Sequence, residues 1–166
     1  MKKFGVYFIY CKNSWKDIFD EQINDIYQSN ILKNIDKLFL SIYYTNDSDL
    51  EYIKTKTNND KICIANSYNK NYYEFEALRV VKTIAEKYTC NIFYMHTKGA
   101  GICEENKTFY HGSTDLNHLL RCVRDWRKFM ESYILFNTNK VDEILKIYDA
   151  CGVNLCDSPS LHYSGN

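Results

Sequence analysis

Asn91-Ile-Phe-Tyr-Met-His-Thr-Lys-Gly99 decides the reading of this chain. Asn91 to His96 reads as a buried strand. The run empties into an imidazole, a hydroxyl, an ammonium and a glycine. Lys98 has the charge to neutralise a diphosphate, and Gly99 lets backbone approach an anion closely. A solvated turn beside a capped edge histidine accounts for the same residues equally well, so the segment fixes a strand end without fixing a ligand. Gly99-Ala100-Gly101 is not a dinucleotide fingerprint, because Glu104 stands where the third glycine belongs and no helix opens at once.

Upstream, Phe4 to Tyr10 is a second buried run, and Ser14 stands where a helix cap is needed, with Asp17, Asp20 and Glu21 close behind. Trp15, Phe19, Ile23, Ile26 and Tyr27 then share one helical face. Lys37 to Tyr44 is a third run, closed by the turn-like Thr45-Asn46-Asp47-Ser48, and Ile62 to Ala65 a short fourth. Asn71 with Glu74 reads as a capping pair before a helix carrying Phe75, Leu78, Val81, Ile84, Ala85 and Tyr88. Glu74 and Glu76 serve the helix dipole in that reading. Downstream, a polar loop to about Thr114 precedes the longest helical signal, Leu116, Leu119, Leu120, Val123, Trp126, Met130, Tyr133 and Ile134. A shorter helix over about Lys140 to Tyr148 and a strand at Gly152 to Leu155 follow.

Strand–helix–strand–strand–helix–strand–loop–helix–helix–strand predicts an α/β fold with a mostly parallel sheet flanked by helices, one domain over 1–166. Ligands gather at the carboxyl ends of such strands. That rule points to Tyr10 to Asn13, Tyr44 to Asp47 and His96 to Gly101.

Composition narrows the classes. Lys+Arg and Asp+Glu stand at 21 each, a balance that argues against a nucleic-acid-coating protein. The 7 cysteines are odd in number and scattered, with no CxxC pair, which points to a reduced, cytoplasmic compartment. No run approaches the length of a membrane span. His96, His111, His118 and His162 match no zinc spacing, so no metal ligands are assigned. Arg124 and Arg127 share a helix face and offer one anion two partners, although local ion pairs explain them as well.

Ile9-Tyr10-Cys11-Lys12-Asn13, Tyr73-Glu74-Phe75-Glu76-Ala77-Leu78, Tyr94-Met95-His96-Thr97-Lys98-Gly99, Trp126-Arg127-Lys128-Phe129-Met130 and His162-Tyr163-Ser164-Gly165-Asn166 occur in this order. The set resembles a family of glycosyltransferase-like proteins of bacteria, algae and large DNA viruses. Their hallmarks are a His-Thr-Lys-Gly strand end and a His-Tyr/Phe-Ser-Gly-Asn-Phe-Trp-Trp segment. The resemblance spans nearly the whole chain. It implies a GT-A-like fold, as in nucleotide-diphospho-sugar transferases, and transfer of a sugar from a nucleotide-sugar donor to a glycan or other hydroxyl acceptor. Under it, Tyr10 and Asn13 face the nucleotide, His96, Thr97, Lys98 and Gly99 lie near the diphosphate, and His162, Tyr163, Ser164 and Asn166 lie near the acceptor.

Two departures from the family pattern shape the expectations. Many GT-A enzymes hold a divalent ion, Mn or Mg, on an Asp-x-Asp at the end of the central strand, where this chain has His96-Thr97-Lys98. Lys98 is then expected to supply the positive charge at the leaving diphosphate. Asp47-Ser48-Asp49 has the spelling but looks like a turn. The family pattern also runs on past Asn166, so the chain is either truncated or ends there naturally, and in both cases an incomplete acceptor wall is expected. The general base is open: Asp157 is the nearest carboxylate to the acceptor motif, with Asp125 and Glu104 behind it. The rival readings are a non-catalytic nucleotide- or sugar-binding module and a protein-interaction domain whose many tyrosines form a contact face.

Overall fold

The computed structural model describes residues 1–109 and 115–152, together with the backbone pairing of 155–156 and 162–163. Four strands, β1 (Lys2–Tyr10), β2 (Lys37–Tyr43), β3 (Ile62–Tyr68) and β4 (Cys90–His96), form one all-parallel sheet in the order β3-β2-β1-β4. Around it lie α1 (Trp15–Gln28), α2 (Ile31–Asn34), α3 (Asp47–Lys56), α4 (Phe75–Lys87), α5 (Leu116–Glu131) and α6 (Thr138–Ile144). A two-residue antiparallel pair, β5 (Leu155–Cys156) with β6 (His162–Tyr163), stands apart. The α/β class and the parallel sheet flanked by helices are as expected.

Handedness explains the layers. From β1 the chain steps outward through α1 to β2 and through α3 to β3, then returns through α4 across β2 and β1 to β4. Right-handed crossovers must put α1 and α3 on one face and α4 on the other. The two cores agree. Tyr7, Ile9, Leu38, Leu40, Ile42 and Met95 pack with Ile18, Phe19, Ile23 and Ile26 of α1 and Ile53 of α3. Phe4, Val6, Phe8 and Tyr43 pack with Ala77 and Ile84 of α4. The alternation along β1 and β2 feeds both faces, which is why their runs are continuously apolar. Gly5 sits where strands crowd: a Cβ there would lie 2.3 Å from the Phe93 ring and 2.7 Å from Leu38 Cδ1.

Several local expectations need correction. The turn-like Thr45-Asn46-Asp47-Ser48 opens a helix, α3. Asn46 accepts from the Asp49 backbone N–H at 3.1 Å, while the Asp49 carboxylate accepts from the Thr45 and Asn46 N–H groups at 3.1 and 3.2 Å, a closed capping box. Ser14 flanks α1 but makes no capping bond, and its hydroxyl is buried without a partner among the described residues. In α4 the inward phase is set by Ala77 and Ile84, so Phe75 and Leu78 are exposed. In α5 the residues that are fully buried are Leu119, Arg127 and Glu131, whereas Trp126 and Met130 are half-buried and Tyr133 beyond it is exposed. The expected apolar stripe is therefore only partly covered, and an ion pair takes the innermost position.

Candidate functional site

Strand order reverses at β1, whose neighbours β2 and β4 are reached on separate passes of the chain. In an open parallel sheet this is the switch point where strand-end loops leave a crevice. The β1 and β4 ends are fastened together there: Thr97 N–H donates to the Phe8 carbonyl at 3.1 Å, and the buried Thr97 hydroxyl accepts from Tyr10 N–H at 2.9 Å. Thr97 is thus occupied by the backbone. Asn13, in the left-handed region at φ 48°, is exposed and reaches the Ile102 carbonyl at 3.5 Å, tying the β1 loop to the β4 loop. Gly99 has φ 96°, and a Cβ on it would come within 2.9 Å of Val123 on α5. Both facts demand glycine for the turn and the helix contact, whatever ligand is bound.

On the α4 face, the strand ends carry a row of rings. Tyr10 stacks on Tyr43 at 5.0 Å, Tyr43 meets Tyr68 at 6.3 Å, and Tyr68 meets Tyr72 at 5.9 Å. The row follows from register, since Tyr10 pairs with Tyr43 and Tyr43 with Tyr68. The Tyr10 hydroxyl accepts from the Asn71 amide at 3.2 Å, and burial pushes its pKa up.

The carboxylate of this region is Glu74. It accepts from the Tyr94 hydroxyl at 2.7 Å and meets His96 Nδ1 at 2.9 Å. Burial acts to raise its pKa, but the bonds from His96 and Tyr94 and the charge of Lys98 outweigh burial and hold it below the ordinary range. Its approach depends on a strained turn. Tyr73 has φ 51°, a region bulky residues avoid at a cost of about 1–3 kcal/mol. Asn71 steadies the turn by accepting from Tyr73 N–H at 2.9 Å. The expected Asn71–Glu74 capping pair is therefore replaced: neither side chain caps α4, and Glu74 turns to β4. His96 Nε2 is buried with no hydrogen-bond partner among the described residues. Leaving such an atom unsatisfied costs about 1–3 kcal/mol. Lys98 is half-buried beside this cluster; burial lowers its pKa, and Glu74 opposes the shift.

On the opposite face, beneath the same strand end, lies a second polar network, in which Arg127 Nε and Glu131 Oε2 are buried without a hydrogen-bond partner among the described residues. Tyr7 donates to Gln22 at 2.9 Å, and Gln22 donates to the His96 carbonyl at 3.0 Å and to Glu131 at 2.7 Å. Arg127 donates to the Lys98 carbonyl at 3.0 Å and to Glu21 at 2.6 Å, and Arg124 holds the other Glu21 oxygen at 2.6 Å. The anion that the two arginines share is thus Glu21. Burial pushes its pKa up, yet the Arg124 and Arg127 bonds bring it down to about 2. Glu131, more deeply buried, is shifted upward by desolvation despite Gln22, Lys128 and Arg127. The sequence gives one hint of this network. Gln22 interrupts the apolar stripe of α1 between Phe19 and Ile23.

A cavity of about 340 Å³ lies elsewhere, along β4 below the strand end, bordered by Phe4, Phe93, Ile134, Val141 and Leu145. It is mainly apolar and runs beside the edge of β4 that has no strand partner among the described residues. We place the site at the switch point because the titratable and aromatic groups converge there.

The acceptor-side residues His162, Tyr163, Ser164 and Asn166, and the candidate base Asp157, lie outside the described residues apart from the backbone pairing of 162–163, as does His111. Asp-x-Asp does not offer a metal site: Asp49 is 3% exposed and committed to the α3 capping box. Among the described residues no group of three His, Cys, Asp or Glu side chains is placed to hold an ion, and no helix is long and apolar enough to cross a membrane. No family model, curated protein or solved structure matches the chain.

Proposed function

We propose that the chain binds a nucleotide-sugar at the β1/β4 switch point and transfers the sugar to a hydroxyl acceptor, within a GT-A-like fold. The observation that carries this reading is the gathering of Tyr10, Glu74, His96 and Lys98 about the carboxyl ends of β1 and β4 in a parallel sheet. In this reading the tyrosine row takes the planar base, which stacks on aromatic faces. Lys98 faces the diphosphate and stabilises the negative charge that grows on it as the glycosidic bond breaks, a task for a preorganised cation in a half-buried site. The strain at Tyr73 is a cost a purely structural turn has no reason to carry.

A second reading, binding without transfer, is favoured by one observation: the Asp-x-Asp of the sequence is spent on a helix cap. Saturation-transfer NMR with a panel of nucleotide-sugars, followed by assay for sugar release to water or alcohols, separates the two. Binding with turnover supports transfer, and binding without turnover supports the module. Loss of binding in Lys98→Ala with an unchanged fold is expected under both. Full binding in that variant contradicts the placement of the diphosphate.

A further inference from the structure

We propose that Glu74 is a positioning residue that keeps the His96 proton on Nδ1, leaving Nε2 as the acceptor for a hydroxyl of the bound sugar donor. The inference rests on the nucleotide-sugar reading and names one contact within it.

The argument is one of hydrogen-bond capacity. An ionised carboxylate only accepts, so both of its partners must donate. Tyr94 supplies an O–H to one oxygen at 2.7 Å, and Nδ1 faces the other at 2.9 Å. The Nδ1 proton is therefore required by the bond. A neutral imidazole with its proton on Nδ1 has a bare lone pair on Nε2. That atom is enclosed and has no partner among the described residues. The remaining imidazole surroundings offer it nothing: the Tyr94 ring lies edge-on at 6.1 Å, and Tyr94's hydroxyl is already given to Glu74. The His96 side chain keeps 16% of its surface exposed. The backbone is held independently, because Gln22 fixes the His96 carbonyl from the opposite face. Glu74 therefore sets the ring's tautomer and rotation, and the Gln22 network sets its position. A carboxylate behind an imidazole is the usual way a protein fixes which nitrogen is bare.

The test uses the full chain labelled with ¹⁵N. Long-range ¹H–¹⁵N correlations report each ring nitrogen as protonated or bare, and the His96 signals are those lost in His96→Gln. The expected spectrum of the free protein has Nδ1 protonated and Nε2 bare. Adding a nucleotide-sugar that the panel identifies as a ligand moves the Nε2 resonance in the direction of an accepted hydrogen bond. Glu74→Gln is expected to mix the tautomers and to weaken that ligand about tenfold, the cost of one hydrogen bond. Glu74→Asp restores part of both. A proton on Nε2 in the wild-type protein, with Nδ1 bare or with both nitrogens protonated, overturns the role of Glu74. A bare Nε2 that does not move at saturating ligand overturns the ligand contact and leaves that atom to a bound water. If no panel member binds, the donor reading fails and the ligand contact falls with it. The free-protein spectrum still reports the tautomer, so the two failures are distinguishable. The wild-type spectra decide the matter even if Glu74→Gln does not fold.

Discussion

Two polar clusters flank the end of β4, and they are built differently. On the α1/α5 face, Gln22, Arg127 and Glu131 are 1%, 4% and 3% exposed, and their bonds run to one another, to Glu21 and to backbone carbonyls, with Arg127 Nε and Glu131 Oε2 left in ion-pair contacts at 3.7 Å. On the α4 face, Glu74, His96, Lys98 and Tyr10 are half-buried, one ring nitrogen is unsatisfied, and a backbone turn is strained to bring the carboxylate in. Buried charge that finds its partners inside the protein specifies position. We read the first cluster as architecture and propose the second for binding, and each reading has its own consequence on mutation.

The largest effect is expected from Arg127→Ala. It removes the donor of the Lys98 carbonyl and the buried cation between Glu21 and Glu131, leaving the more exposed Lys128 and Arg124 beside them. Breaking a buried pair from one side costs about 3–5 kcal/mol, read as a lower midpoint in urea unfolding. A loss under about 1 kcal/mol would mean the network is surface decoration. Gln22→Leu comes next, because Tyr7, Glu131 and the His96 carbonyl each lose a partner. A loss of about 1–3 kcal/mol is expected, with ligand affinity altered only as far as the strand end shifts.

Lys98→Ala reverses the pattern. Stability should change by less than about 1 kcal/mol, while nucleotide-sugar affinity drops about tenfold or more. An Arg127→Ala protein that stays stable but no longer binds would exchange the two roles and break the comparison.

The smallest effect is one of pH. The folded-state pKa of Glu21 is brought to about 2, below its unfolded value. A depressed carboxyl stabilises the fold above the unfolded pKa, and that contribution is lost as pH falls from about 4.5 toward 2. Glu131 is shifted upward and has the opposite sign, favouring the fold when protonated. Because Arg124 is exposed and solvent screens the pair, the Glu21 contribution is about 1 kcal/mol or less. Glu21→Gln should flatten the acid limb of the stability curve, and an unchanged limb would show the pair to be thermodynamically idle.

How much of this was legible beforehand differs between fold and site. The continuous apolar runs at Phe4 to Tyr10 and Lys37 to Tyr44 report strands buried on both faces, and they are so buried. The helix after β2 was hidden because its cap, Asn46 with Asp49, is written in the same residues as a turn. Phe75 and Leu78 misled because apolar residues at helical spacing do not reveal which phase a sheet covers, and the small Ala77 is what lies at the contact. His96 and Lys98 stood out through their place at a strand end. Glu74 did not, because a carboxylate before a helix already has a reason to be there. Its bonds to Tyr94 and His96 join residues 20 and 22 positions away, a pairing that only the crossover through α4 creates. Gln22 and Glu131 were hidden for the same reason, lying 109 positions apart.

The most direct test of the central claim is a map of amide chemical shifts in ¹⁵N-labelled protein titrated with the best nucleotide-sugar of the panel. The account predicts that the largest changes fall on residues 10–13, 71–74 and 96–101, with residues 90–93 and 141–145 along the β4 groove little moved. Changes centred on that groove, or no change from any nucleotide-sugar in a folded sample, would contradict it.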